Sequence, residues 1–297
     1  MSAARPPEGA RSAGEAEGVP VRPQRLPPGA CDCHFHVFDA ARYPYAPARH
    51  YTPPDAPLAD YLALCQRFGM DRSVLIHPTV FGADHRSFED ILSAHGDHMR
   101  GVAVVSPTTP EADIARWHAL GARGTRITTV FTGGADLSAV EQIVARIKPF
   151  GWHVQLLVDV AQQPELVARV LAMGVTVVVD HLGHHAASAI TQSQGFANLL
   201  SQLAEGSVWL KLSAPYRISP HSHNDADVRR LAERYVQANP HRLVWGTDWP
   251  HPASPHAVPD DAQLVSLVAD WLPDKALQTT VLVHNPTRLY WADTPPG

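Results

Sequence analysis

Eight short runs rich in β-branched and other apolar residues, alternating with stretches of helical period, constrain this chain more than anything else in it. The runs cover residues 30–38, 72–79, 101–106, 124–130, 153–159, 176–183, 208–214 and 242–250. Between them, amphipathic segments at 58–68, 110–120, 136–148, 164–173, 195–204, 225–237 and 261–271 read as helices. A parallel neighbour strand is reached only through a long crossover, usually helical, so this alternation predicts a parallel sheet. Eight such units are what a (β/α)8 barrel needs. Gly121, Gly151 and Gly174 each fall between a helix and the next strand, where a tight turn with positive φ favours glycine. The fold class expected is therefore α/β, a single-domain TIM barrel spanning residues 30–297. Residues 1–29 carry Pro, Gly, Ala, Arg and Glu without a continuous apolar run, so they are expected to form a disordered leader rather than a secretory signal.

An open doubly wound sheet alternates strand and helix in the same way and is the competing architecture. Its dinucleotide-binding version places G-x-G-x-x-G directly after the first strand. Here that position holds Asp32-Cys33-His34-Phe35-His36, so there is no nucleotide cradle. A net charge of −5 and a pI near 6.4 supply no positive field for a polyanion. Nucleic acid is excluded as a partner on that ground, and a small-molecule substrate is expected. Three cysteines, Cys31, Cys33 and Cys65, do not make a disulfide framework, which fits a reducing, cytoplasmic setting. The apolar runs fall far short of the roughly 20 residues that a membrane helix takes, so no membrane partner is expected. A homo-oligomer is compatible with the sequence, although no segment reads as a dedicated interface.

The chemistry gathers at the ends of three runs. Along 31–38, strict alternation puts Asp32, His34, His36 and Phe38 on one face of the strand and Cys31, Cys33, Phe35 and Val37 on the other. Cysteine and histidine then cannot converge on one ion, and the cysteines read as thiols packed under helices. The sixth run ends Asp180-His181-Leu182-Gly183, and the eighth continues into Thr247-Asp248-Trp249-Pro250-His251-Pro252. Barrel enzymes keep their active sites at these carboxyl ends. His34, His36, His181 and Asp248 suit either of two chemistries. They can hold one divalent ion such as Zn²⁺, which lowers the pKa of bound water to about 7. Alternatively, Asp248 is a general base and the imidazoles polarise a carbonyl, with no cofactor required. A purely structural role for the paired histidines, and a catalytically silent barrel, are the competing readings. His251, three residues after Asp248, is placed to touch substrate or to orient Asp248. His77, His85, His184, His185, His221, His223 and His256 fall at strand ends or in loops and read as solvated or supporting residues.

The H-x-H opening, Asp180-His181-Leu182-Gly183, Gly246-Thr247-Asp248-Trp249-Pro250-His251-Pro252 and the closing Asn285-Pro286-Thr287-Arg288-Leu289-Tyr290 together resemble the amidohydrolase-2 group of the amidohydrolase superfamily. Within it the chain is similar to the pyrone dicarboxylate hydrolases and related lactonases, from about Gly29 to Trp291. The resemblance implies a hydrolase that opens a lactone, a pyrone or sugar-type cyclic ester, with water activated by Asp248. It also implies that His34, His36 and His181 surround the scissile carbonyl, and that Tyr51, Arg126 and Arg217 bind substrate carboxylates. A metal-dependent decarboxylase of the same superfamily is the alternative, weakened because the seventh run continues Ser213-Ala214-Pro215-Tyr216-Arg217 and offers no further histidine. Two departures bear on substrate. Phe131-Thr132-Gly133-Gly134 stands where the group carries a second arginine, and Gln155-Leu156-Leu157-Val158 where it carries a tyrosine. A lactone with fewer carboxylates than the pyrone dicarboxylate is expected from them. No lysine at the fourth or fifth strand end is present to bridge two metals, so the chain is expected to hold one ion at most.

Overall fold

A computed structural model describes residues 25–129, 137–220 and 225–292. Leader residues 1–24, Phe131-Thr132-Gly133-Gly134, His221 and His223 lie outside the described residues. Eight strands form one sheet in sequence order: β1 Cys31–Phe35, β2 Arg72–Ile76, β3 Met99–Ala103, β4 Ala122–Thr128, β5 His153–Leu157, β6 Val177–Val179, β7 Val208–Ser213 and β8 Leu243–Gly246. Every sequential pair is parallel. A helix follows each strand: Leu58–Phe68, Arg86–His95, Glu111–Ala119, Leu137–Ile147, Leu166–Ala172, Gln194–Ala204, Ala226–Ala238 and Asp261–Trp271. The expected TIM barrel is thus the fold observed, with one helix, Arg86–His95, added to those read from the sequence. Gly121, Gly151 and Gly174 have φ of 106°, 66° and 74° at the expected turns.

Closure occurs between β8 and β1. Asp248 N–H donates to His34 O at 2.8 Å, His36 N–H donates to Trp249 O at 2.8 Å, and Phe35 and Trp249 form a parallel bridge. Gly246 makes this approach possible, because a Cβ there would lie 2.7 Å from His34 Cβ and 2.8 Å from His34 N. Two residues before Asp248, the chain therefore needs a residue without a side chain.

Strict alternation along β1 does not hold. Asp32 pairs with Ser73 and Phe35 with Leu75, so three steps on β1 oppose two on β2. This is a β-bulge, and the extra residue re-aims the side chains beyond it. Asp32 consequently faces outward, accepting from Tyr61 OH at 3.0 Å and from Thr247 Oγ1 at 2.6 Å. Phe35 stacks on Tyr61 at 3.7 Å in the same outer layer. Cys31 and Cys33 lie inside the barrel, packed with Val74, Ile76, Val102, Val178 and Val244, and not under the helices as alternation predicts. Tyr290 and Trp291, at the end of the helix Asn285–Tyr290, close this inner layer, with Arg72 and Arg100 from the starts of β2 and β3 stacked on Trp291. The interior at the amino-terminal end is therefore filled by apolar and aromatic side chains. Among the described residues, no helix is long and apolar enough to cross a membrane.

Candidate active site

The carboxyl ends of β1, β6 and β8 bring the sequence-predicted residues together around one atom. Asp248 Oδ1 lies 3.5 Å from His34 Nε2, 3.6 Å from His36 Nε2 and 3.9 Å from His181 Nε2. All four side chains are buried. His181, Leu182, His184, Ala214, Asp248 and His251 have φ between 50° and 63°. Left-handed backbone at non-glycine residues costs on the order of 1–3 kcal/mol each and concentrates at functional sites. Here it turns the chain sharply after β6, β7 and β8, so that side chains at the strand ends aim back over the mouth.

The two oxygens of Asp248 are not equivalent. Oδ2 accepts from Tyr216 OH at 2.7 Å and from Arg217 Nε at 2.8 Å, with Arg217 Nη2 also at 2.8 Å. Among the described residues, no donor lies closer to Oδ1 than the three imidazoles at 3.5 Å or more. Burial alone would raise the Asp248 pKa, but the Arg217 guanidinium outweighs it and holds the carboxyl well below the usual range. Asp248 is thus ionised at neutral pH. Burial pushes His34 down to about 3, with Lys211 adding to the shift, and also lowers His36 and His181. The three imidazoles are therefore neutral. His36 Nδ1 faces Ile76 O at 2.8 Å, and a carbonyl can only accept, so Nδ1 carries the proton and Nε2 turns a lone pair to the site.

A cavity opens over Asp248 and His36 and is lined by Tyr51, Arg126 and Arg217. Tyr51 is held at a raised pKa of about 12, chiefly by burial, so it enters the cavity as a neutral phenol. Arg126 Nε lies 3.2 Å from Asp180 Oδ2, and Arg217 also donates to Pro252 O at 2.7 Å. His251 does not line this cavity. Its Nδ1 is 2.9 Å from Tyr216 OH and its Nε2 is 3.0 Å from Asp261 Oδ1, so it stands behind Tyr216.

Tyr216 and Lys211 are the residues that sequence reasoning missed. Tyr216 is fully buried against Asp248. Lys211, between Leu210 and Leu212 on β7, projects into the barrel, where Nζ donates to Gln155 Oε1 at 2.7 Å and to Cys33 O at 2.9 Å. Its Nζ is 3.2 Å from His34 Nδ1 and 3.5 Å from Asp180 Oδ1. Gln155 Nε2 donates to Asp180 Oδ2 at 2.9 Å. Gln155 therefore ties lysine to aspartate beneath the mouth. A lysine inside an apolar strand is a sequence-level signal, since a buried ammonium requires acceptors.

Spacing admits one metal ion. Ligand atoms of His34, His181 and Asp248 lie within 4.8 Å of one another, and His34 Nε2 and Asp248 Oδ1 are both buried without hydrogen-bond partners among the described residues. His36 is not in that set. The His34 tautomer decides whether it can ligate. An ammonium donating to His34 Nδ1 would leave the imidazole proton on Nε2, whereas a ligand needs a lone pair there; a proton on Nδ1, shared with Asp180 Oδ1 at 3.5 Å, would leave Nε2 free. The residues fit one ion in the second form and exclude it from His34 in the first.

An ionised carboxylate ringed by strand-end imidazoles thus lies at the face of a parallel barrel where enzymes of this fold keep their active sites. The chain belongs to the amidohydrolase family, whose model matches residues 31–291. It is 39% identical over 290 residues to a 2-pyrone-4,6-dicarboxylate hydrolase of Comamonas testosteroni, covering 92% of this chain and 94% of that one. A 4-sulfomuconolactone hydrolase of Rhizobium radiobacter is 32% identical, over 89% of this chain and 91% of its own. The crystal structure of a Pseudomonas putida protein, itself a candidate 2-pyrone-4,6-dicarboxylic acid hydrolase, superposes with a TM-score of 0.79 at 30% identity, covering 91% and 100% of the two chains.

Proposed function

We propose that this protein hydrolyses a lactone, with Asp248 as the base that activates water. The observation that carries the reading is Asp248 Oδ1, a buried, ionised carboxylate oxygen with no donor among the described residues closer than 3.5 Å, which faces three neutral imidazoles beneath an arginine-lined cavity. A water bound at Oδ1 gives up its proton to that oxygen as its own oxygen attacks the lactone carbonyl carbon. The ring C–O bond then breaks, and the proton passes from Asp248 to the leaving oxygen, giving a hydroxyl or its keto tautomer and a carboxylic acid, which releases the second water proton to solvent as it ionises. Both relatives named above act on lactones, which supports the same chemistry here. General-base catalysis contributes roughly 10²- to 10⁴-fold. Replacing Asp248 with Asn should lower turnover of a cleaved lactone by about that factor while the fold is retained. A variant as active as the wild type would refute the assignment.

The substrate carries one carboxylate in this reading. Arg126 and Arg217 are each already paired with a buried carboxylate, Asp180 and Asp248 respectively. With Lys211, three cations stand against two anions, which leaves one net positive charge. The sequence segments 130–136 and 221–224 add no Lys or Arg. A second substrate carboxylate would be desolvated without a counter-charge, at a cost of several kcal/mol. A panel of mono- and dicarboxylated pyrone, muconolactone and sugar lactones tests this. Monocarboxylates should show the higher kcat/KM, and preference for dicarboxylates would overturn it.

A further inference from the structure

We propose that Lys211 is a positioning residue that fixes the tautomer of His34, so that Nε2–H serves as the hydrogen-bond donor to the lactone carbonyl oxygen as it becomes an oxyanion. The inference rests on the hydrolytic reading of the site but is measured independently of it.

An ammonium has three donors and no acceptor. Lys211 Nζ meets three acceptors at hydrogen-bond distance: Gln155 Oε1 at 2.7 Å, Cys33 O at 2.9 Å and His34 Nδ1 at 3.2 Å. Asp180 Oδ1 lies further away, at 3.5 Å from both Nζ and His34 Nδ1, and is the competing acceptor for either hydrogen. Gln155 is oriented by its own bond to Asp180, so its oxygen must face the lysine. The shorter contact, 3.2 Å, gives the remaining ammonium hydrogen to His34 Nδ1, so that His34 carries its proton on Nε2, the atom that faces the site. His36 has the opposite arrangement, because the Ile76 carbonyl claims its Nδ1–H.

Two adjacent imidazoles on one strand end thus present unlike atoms, a donor at His34 and a lone pair at His36. Hydrolysis of a carbonyl uses both kinds, a donor to stabilise the oxyanion and an acceptor to orient the water whose proton Asp248 takes. A preorganised donor of this type is worth roughly 10²- to 10³-fold in kcat. The same proton denies His34 Nε2 to a metal ion. Lys211 is 0% exposed and reaches solvent nowhere, so its effect is exerted through His34 and not by contact with substrate.

The test is ¹⁵N NMR of histidine-labelled full-length protein, with the His34 signals assigned by their loss in His34→Gln. The couplings of the ring nitrogens to their carbon-bound protons distinguish the tautomers. We expect His34 as the Nε2–H form and His36 as the Nδ1–H form in the wild type. An Nδ1–H tautomer at His34, with Asp180 as its acceptor, would overturn the proposal. In Lys211→Met, His34 should lose that fixed tautomer and kcat should fall about 10²-fold with KM changed less than about threefold. Equilibrium dialysis against zinc should then show about one ion bound by the variant and none by the wild type. Zinc held through His34 in the wild type would count against the inference. If Lys211→Met does not fold, the wild-type tautomer still decides the matter, and it does so even if no lactone proves to be a substrate.

Discussion

The closure between β8 and β1 predicts an outsized effect for the smallest substitution, Gly246→Ala. The added Cβ would stand 2.7 Å from His34 Cβ and 2.8 Å from His34 N. Ordinary carbon contact begins near 3.5 Å, so β8 must retreat by about 0.7 Å, and the obstacle is partly backbone that cannot rotate away. Overpacking of this kind costs roughly 1–3 kcal/mol. The retreat acts where Asp248 N–H meets His34 O, so it also moves the base relative to the imidazoles. Displacements approaching 1 Å cost about 10²-fold in rate. Gly151→Ala is the control, because a methyl added there would meet nothing within 4 Å and only the φ of 66° opposes it, so it should lose roughly 1–2 kcal/mol of stability and no activity. Urea unfolding and kcat/KM of the two variants give the comparison. A Gly246→Ala protein as active as Gly151→Ala would refute the closure argument.

Three further outcomes follow from the site. Tyr216→Phe removes the 2.7 Å bond to Asp248 Oδ2 and leaves Arg217 to hold that oxygen, so steady-state kinetics should show kcat lowered about tenfold with little change in KM. His251→Ala should reproduce part of that loss without the substrate-binding defect expected of a residue in the cavity, since it touches Tyr216 and Asp261. Stability should fall on acidification below pH 6.5. Burial, with Lys211 adding to it, holds both His34 and His153 near 3, so the unfolded chain binds protons that the fold refuses, costing about 1.4 kcal/mol per pH unit for each. Asp32, raised by burial to about 6, is protonated more readily in the fold and offsets one of the two between about pH 4 and 6. Chemical denaturation at pH 7, 6 and 5 measures the slope, and constant or rising stability toward pH 5 would contradict it.

The sequence made the barrel legible because its strands are buried on both faces and so read as continuous apolar runs. The segments 58–68 and 261–271 match the observed helices because their apolar stripes end at clear stops, Gly69 in the left-handed region for the first and the Trp271-Leu272-Pro273 boundary for the second. Arg86–His95 had a readable stripe in Phe88, Ile91 and Leu92 but no side-chain cap at its start. The bulge in β1 could not be read, since one inserted residue leaves no mark on composition and yet reverses the inward face for everything before it. His34, His36, His181 and Asp248 were visible as polar residues ending apolar strands. Tyr216 was hidden because tyrosine beside a strand end is common, and only the fold brings it to Asp248. Gln155 looked like the loss of a substrate contact, but in the barrel it bridges Lys211 and Asp180 beneath the site.

The central claim is that water activated at Asp248 attacks a lactone carbonyl. Its most direct test is single-turnover reaction of the best substrate from the lactone panel in H₂¹⁸O, with wild-type protein and Asp248→Asn, followed by mass spectrometry of the product. The account predicts one ¹⁸O, located in the newly formed carboxylate, with a rate that falls about 10²- to 10⁴-fold in the variant. Product without ¹⁸O, or formation of labelled acid at an undiminished rate by Asp248→Asn, would contradict it.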